Sequence, residues 1–281
     1  MIDSRKQLSL LGGSIEIVFY DVDIPLANPI FEEIYEEGLK LQEIFNFFDP
    51  TSELSQLNHK RTLKVSKELL EVIKIALIYC EKTGGEYDIS IGKQILQRKR
   101  EEEITPIKCS FRDIEVKDST IKLNHSDVLI DLRSIAKGYI TDKLVEFIKN
   151  RGIEAGYINA RGDIRIFGKI SEKIEVQHPR DKSKTLFPIL LKNSAVATSG
   201  DYNQFYKTYD KSHILRKKDL ISATVVAPKL TEADVLASVI FLLEKNKREA
   251  FLKNNPQIKA MTIDENMNKL EYNGFSSIKI K

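Results

Sequence analysis

The chain has 281 residues, 42% hydrophobic and 30% charged, which is enough apolar material for a sizeable core and too much for intrinsic disorder. Lys plus Arg total 44 against 41 for Asp plus Glu, so the formal net charge of +3 does not favour nucleic acid or an anionic membrane as default partner. No stretch approaches the roughly 18–20 apolar residues of a membrane span, and the start MIDSRKQLSLLGGS lacks an apolar signal core. The expectation is a cytoplasmic protein, with a trimmed exported or lipoprotein form as the alternative.

Along the chain, Ser14 to Tyr20 (SIEIVFY) is β-branched and aromatic and predicts a strand. Ile30, Phe31, Ile34, Leu41, Ile44 and Phe45 keep near-helical spacing and predict a helix from Pro29 to about Phe47. A second helix is predicted from about Lys67 to Lys82, with Leu69, Ile73, Ala76, Leu77 and Cys80 on one face and Gly84 as its stop. The run QRKREEE from Gln97 to Glu103 reads as a solvated loop or helix end. A third helix is predicted from Ile135 to Asn150, closed by Gly152, and a fourth after Thr231. Short β patterns occupy 128–132, 164–167, 174–177, 187–191, 223–227 and 277–281. Strands this numerous and unevenly separated by helices predict an α+β fold rather than regular βαβ winding. With no repeat or linker visible, a single compact domain over 1–281 is expected.

Cys80 and Cys109 can build neither a disulfide framework nor a zinc site, and Cys80 reads as a core thiol. His59, His125, His178 and His213 show no ligand spacing, so any metal would be a hard cation on oxygen ligands. The run GGEYDISIGK ending at Lys93 is not a phosphate loop: its glycine spacing is wrong, and Gln94 stands where Ser or Thr must follow the lysine. No GxGxxG follows a strand and no GxSxG elbow occurs. The tripeptide Arg161-Gly162-Asp163 is too short to carry an adhesion reading.

The informative pattern is collective. It comprises FNFFDPTSELSQLN (Phe45 to Asn58), GGEYDISIG (Gly84 to Gly92), IDLRSIAKGYITD (Ile130 to Asp142) and YINARGDIRIFG (Tyr157 to Gly168). VATSGDYNQFY (Val196 to Tyr206), SHIL and TEADVLASVIFLL (Thr231 to Leu243) complete it. In order and spacing these segments resemble the ApbE family of FAD:protein FMN transferases. Its patterns are approximately SELSxLN, GGxFD, DLGxIAKGYAxD, NxGGDIxxxG, ATSGDY, HIIDPxTG and ADALATA.

The resemblance implies a magnesium-dependent enzyme that cleaves FAD, moves the FMN half onto a Thr or Ser hydroxyl of an acceptor flavoprotein through a phosphoester bond, and releases AMP. Some members instead hydrolyse FAD to FMN and AMP. Breaking a pyrophosphate calls for neutralisation of developing phosphoryl charge, a positioned hydroxyl and a base. The family's metal ligands fall on Asp234, on Ser238 (Thr in most members) and on the Ser134 backbone carbonyl. Asp234 and Ser238 share a helical face at i, i+4. Asp234 also fits a capping box with Thr231, a purely structural alternative that does not exclude ligation.

Flavin contacts implied by the resemblance are Leu11, Phe48, Glu86, Tyr87, Asp88, Asp131, Lys137 and Ile214. Phe48 is suited to stack on an isoalloxazine plane or to close a helix end as a core aromatic. Asp88 suits either ring N–H groups or an ordinary turn. Lys137 can meet a phosphate or be a plain helix-surface lysine, and Ser199-Gly200-Asp201 makes a tight turn able to approach a ligand or merely end a strand. His213 is the candidate general base. Two departures stand out: SHILRKKDL lacks Asp-Pro-x-Thr-Gly, and Arg161 replaces the first glycine of Gly-Gly-Asp. The first motivates one alternative, a catalytically weakened FAD-binding protein; the other, an FAD pyrophosphatase, shares the same site and uses water as acceptor.

Overall fold

The computed structural model describes residues 3–202, 205–206, 208–212 and 214–280. The chain opens with a hairpin, β1 (Ser4–Leu10) and β2 (Gly13–Phe19). Helix α1 (Ile24–Phe45) follows, with Phe31 stacked on Phe19 at 4.6 Å between ring centroids. It starts before the predicted Pro29, because Pro25 is preorganised for the first turn. Helix α2 (Glu53–Lys60) is capped by Ser52, and β3 (Thr62–Lys64) leads into α3 (Lys67–Lys82). The predicted bounds of α3 hold because its signals are local: Ser66 Oγ accepts the Leu69 N–H at 3.2 Å, and Gly84 and Gly85 exit at φ 61° and 88°.

Helix α4 (Gly92–Lys99), β4 (Ile114–Lys117) and β5 (Thr120–Leu123) precede α5 (Ala136–Asn150). Then come β6 (Gly156–Ala160), β7 (Asp163–Phe167), β8 (Ser171–Gln177), β9 (Thr185–Lys192) and β10 (Ala195–Gly200). The short β11 (Phe205–Tyr206) and β12 (Thr208–Ser212) lead to β13 (Leu220–Ala227), α6 (Leu230–Leu242) and α7 (Lys245–Lys253). The chain closes with β14 (Lys259–Asp264) and β15 (Lys269–Tyr272).

The main sheet has eight strands in the order β1-β2-β6-β7-β10-β13-β14-β15, and every pairing within it is antiparallel. Smaller sheets join β3-β5-β4, β8-β9 and β11-β12. The fold is α+β, as expected; where mixed, largely antiparallel sheets packed with helices were expected, the strand pairings of these sheets are antiparallel. One apolar cluster fills the space between the main sheet and the helices; a second lies under the β8-β9 hairpin and around Phe275. Coverage on both faces explains why β13 (LISATVVA) is buried at every position. Cys80 sits in the larger cluster, where burial pushes its thiol up to about 12, as expected of an inert core cysteine.

Two predicted strands do not form. Residues 277–281 were expected to pair; Asn273 (φ 53°) and Gly274 (φ 76°) instead turn the chain into a 3₁₀ turn, Phe275–Ile278, that buries Phe275, so that Lys279 alone bridges to Ile189, and residue 281 lies outside the described residues. The segment 128–132 is extended and buried but makes one bridge, Ile91 to Leu129. The backbone of 89–92 meets one of its edges, with the Leu129 N–H donating to the Ser90 carbonyl at 3.2 Å and the Asp131 N–H to the Ile89 carbonyl at 2.9 Å, and a side chain meets Ile130 on the other. Asn58 Nδ2 donates to the Ile130 carbonyl at 2.9 Å, and the Ile130 N–H donates to Asn58 Oδ1 at 2.7 Å. At Ile130 a side-chain amide thus does what a second neighbouring strand would do.

Asn58→Ala strands both groups of Ile130 in the interior and is expected to cost about 1–3 kcal/mol for each group left unpaired. Urea unfolding of the two proteins checks this; a loss below about 0.5 kcal/mol would show that water replaces the amide.

Candidate active site

A cavity of about 630 Å³ opens where the C-terminal end of α1, the 84–91 loop, the start of α5, the ends of β7 and β10, and α6 converge. Leu11, Phe48, Glu86, Tyr87, Asp88, Asp131, Ser134, Lys137, Ser199, Ile214, Asp234 and Ser238 all line it. These are twelve of the thirteen predicted site residues; the remaining one, His213, lies outside the described residues.

Helix α6 dictates the polar end. Its sequence LTEADVLASVIFL is apolar almost all round and is buried on nearly every side. Within it only Asp234 and Ser238, one turn apart, bring polar side chains to the cavity. Helices α5 and α6 touch through Gly138, where an added Cβ would stand 2.4 Å from the Leu230 carbonyl oxygen. That approach lets the Gly138 N–H donate to Asp234 Oδ2 at 3.0 Å.

The capping alternative for Asp234 does not hold. The start of α6 is capped from α5, by Asp142: Leu230 N–H donates to its Oδ1 at 3.1 Å, and Thr231 N–H and Oγ1–H donate to its Oδ2 at 2.8 and 2.7 Å. Asp142 also accepts from Arg165 Nε at 3.2 Å. Asp234 is thereby left for the cavity.

Lys137 is ion-paired with Asp163 Oδ2, while Asp163 Oδ1 accepts the Thr198 N–H at 3.1 Å. Burial works against the Lys137 ammonium, but the carboxylates of Asp163 and Asp234 outweigh it and hold the group above its ordinary value. Lys137 is therefore a fixed charge, not a surface lysine. Around it are hydroxyls: Ser199 Oγ and Ser238 Oγ lie 3.1 Å apart, and Tyr87 Oη and Ser134 Oγ 2.8 Å apart. Burial drives the Tyr87 phenol well above its ordinary range, so it stays protonated.

The opposite end is aromatic and cationic. Phe48 is 41% exposed, with the Lys99 ammonium 3.3 Å and the Arg133 guanidinium 5.2 Å from its ring centroid. A flat ring stacking on Phe48 must share or displace these cations. Arg133 also holds Asp131, with Nε to Oδ1 at 3.0 Å and Nη2 to Oδ2 at 3.0 Å. Asp88 Oδ1 accepts the Ser90 N–H at 2.9 Å, the ordinary turn foreseen for it, while still lining the cavity. Glu86 pairs with Lys247 at 2.7 Å, a hydrogen bond that holds its carboxyl below the usual range. Leu11 (φ 56°) presents its N–H to Gln42 Oε1 at 2.7 Å. Asp163, Arg133 and Gln42 were not singled out as site residues from the sequence; for Asp163, the signal was its place as the acid of the Gly-Gly-Asp motif that opens β7.

The donors near Asp234 are all oxygens, the set a hard divalent cation prefers. Among the described residues no three His, Cys, Asp or Glu side chains cluster as a metal cage. The arrangement fits sparse protein ligation completed by substrate oxygens and water. Among the described residues no helix is long and apolar enough to cross a membrane.

Residues 11–262 match the ApbE family, and the chain belongs to it. A FAD:protein FMN transferase of Haemophilus influenzae is 26% identical over 293 residues, covering 89% of this chain and 85% of that protein. One from Treponema pallidum is 23% identical over 239 residues, 71% of this chain and 66% of the relative. The ApbE protein of Thermotoga maritima shares the fold with a TM-score of 0.87 at 22% identity over 100% of both chains. The flavin transferase ApbE of Vibrio cholerae follows at 0.80 and 20%, over 99% of this chain and 100% of that one.

Burial pushes the Asp234 carboxyl from 3.8 up to about 6, opposed by Lys137 and the Gly138 N–H and reinforced by Asp163 and Asp142. A carboxyl raised on folding contributes stability below its unfolded value, and that contribution is lost as pH rises through the folded one. In the ligand-free protein, Asp234→Asn should therefore gain stability relative to wild type as pH climbs from about 4 to 7. Denaturant titrations across that range test this, and a pH-independent difference would reject it.

Proposed function

We propose that this protein is a magnesium-dependent FAD:protein FMN transferase that moves the FMN half of FAD onto a Thr or Ser hydroxyl of an acceptor protein and releases AMP. The observation that carries the reading is the convergence of Asp234, Ser238, Ser134 and Lys137 on one cavity that also offers an aromatic wall at Phe48. The names of the relatives support flavin transfer. The acceptor oxygen bonds to the flavin-side phosphorus, and the bond from that phosphorus to the bridging oxygen breaks. AMP leaves with that oxygen, and the hydroxyl proton passes to a base, the role the resemblance gives to His213.

Asp234, Ser238 and the Ser134 carbonyl would hold the magnesium ion, which when bound offsets negative charge on the diphosphate. Lys137, kept charged by Asp163, faces the same negative charge as a positioned cation. Gly138 and Asp142 fix the carboxylate and its helix so that little reorganisation is needed on binding. At the other end, Phe48, Asp88 and Asp131 form the wall proposed to receive the flavin ring.

Incubation with FAD, magnesium and candidate acceptors, followed by mass spectrometry, is expected to show one covalent FMN on the acceptor and stoichiometric AMP. Free FMN with AMP and no acceptor adduct would select the pyrophosphatase, and tight FAD binding without AMP would select a catalytically weakened FAD-binding protein. Asp234→Ala should lower turnover by orders of magnitude. Ser238→Thr should retain it, since the hydroxyl persists. An Asp234→Ala protein of near-normal rate would remove the metal site from the mechanism.

A further inference from the structure

Arg161 occupies the turn between β6 and β7, at the rim of the cavity, with φ 61°. Glycine enters this left-handed region freely; a side chain with a Cβ does so at a cost. Such strain, retained beside a ligand cavity, is a pointer to a role for the side chain.

The guanidinium lies across the turn that joins β1 to β2. Nη1 donates to the Leu11 carbonyl at 3.1 Å. A Cβ added at Gly13 would stand 2.9 Å from Arg161 Nε, and one at Gly12 3.5 Å from Nη1. Two successive glycines thus leave the bed in which the arginine rests, so the two turns fit one another. A guanidinium has five N–H donors, and Leu11 takes one of them.

Its electrostatic situation differs from that of Lys137 and Arg133 in the same cavity. Lys137 is neutralised by Asp163, and Arg133 by Asp131. Arg161, two residues before Asp163, has no carboxylate within ion-pair distance among the described residues. The cavity therefore carries an uncompensated, planar, multi-donor cation at the end where Lys137 and Asp234 also lie. Guanidinium groups of this kind pair with phosphate oxygens through two parallel hydrogen bonds.

Resting on the reading of the cavity as a flavin-dinucleotide site, we propose that Arg161 binds a phosphate oxygen of the substrate and makes the protein select phosphorylated flavin over the bare ring system. It acts as a specificity-determining residue, and the β1-β2 turn holds its guanidinium in place.

The test compares wild type, Arg161→Gly and Arg161→Lys for binding of FAD and of riboflavin, with magnesium present, by flavin fluorescence or calorimetry. Arg161→Gly returns the backbone to the residue it favours, so thermal stability should be maintained or improved. FAD affinity should fall about tenfold or more in Arg161→Gly, with riboflavin affinity unchanged. Arg161→Lys, a point charge without the fork, should lie between the two. Equal losses for FAD and riboflavin would overturn the proposal in favour of a role confined to shaping the Leu11 turn. Unchanged FAD affinity in Arg161→Gly, with wild type binding FAD, would overturn it while leaving the transferase reading intact. A wild-type protein that binds no FAD would overturn both.

Discussion

An ionisable carboxylate placed within an apolar helix is the constraint on which the rest of this structure turns. Helix α6 is buried among the sheet, α3 and α5, and Asp234 must be desolvated to sit there. Leaving such a group without compensation is costly, and each nearby element supplies part of what it needs. Gly138 allows α5 to come close enough for a backbone N–H to reach the carboxylate. Asp142 takes over the amides at the start of α6, so Asp234 is not drawn into capping. Lys137 provides the opposite charge, and Asp163 keeps that charge in place.

The cavity inherits a polarity from this arrangement. Oxygen donors and the fixed ammonium gather where α5, α6 and β10 meet, whereas Phe48 and its flanking cations stand at the end of α1. A ligand with a flat ring at one end and phosphates at the other matches that division. The walls are tied together across long sequence distances, as in the Glu86 to Lys247 pair and the contact of Arg216 with the Gly85 carbonyl at 3.2 Å. Asp201 adds an anchor behind the site: fully buried, it meets Arg180 at 2.6 Å and Lys217 at 2.7 Å, holding the segment after Ile214 against the β8-β9 hairpin.

Legibility in the sequence followed the range of the interactions. Helix α3 could be bounded closely, since Ser66 and Gly84 act within one turn of its ends. Strand β1 escaped notice because it is an edge strand whose residues SRKQLSL alternate with only Leu8 and Leu10 as large buried groups. The apolar run at 128–132 looked like a strand, yet it pairs only briefly with the 89–92 backbone, and its Ile130 is met by an amide side chain 72 residues away. Asp142, which frees Asp234 for the cavity, reaches Thr231 over 89 residues, and no local pattern announces that contact.

The linear order of residue types by itself determined the fold class, the family resemblance and twelve of the residues that line the cavity. Periodicity and short motifs are written in neighbouring positions, and seven scattered patterns in one order are hard to produce by chance. Tertiary structure alone decided which charges neutralise one another, that Lys137 belongs to Asp163, and that Arg161 lies across two glycines with no carboxylate in ion-pair reach among the described residues. Electrostatic energy depends on distance and desolvation, and both are set only when remote segments pack together.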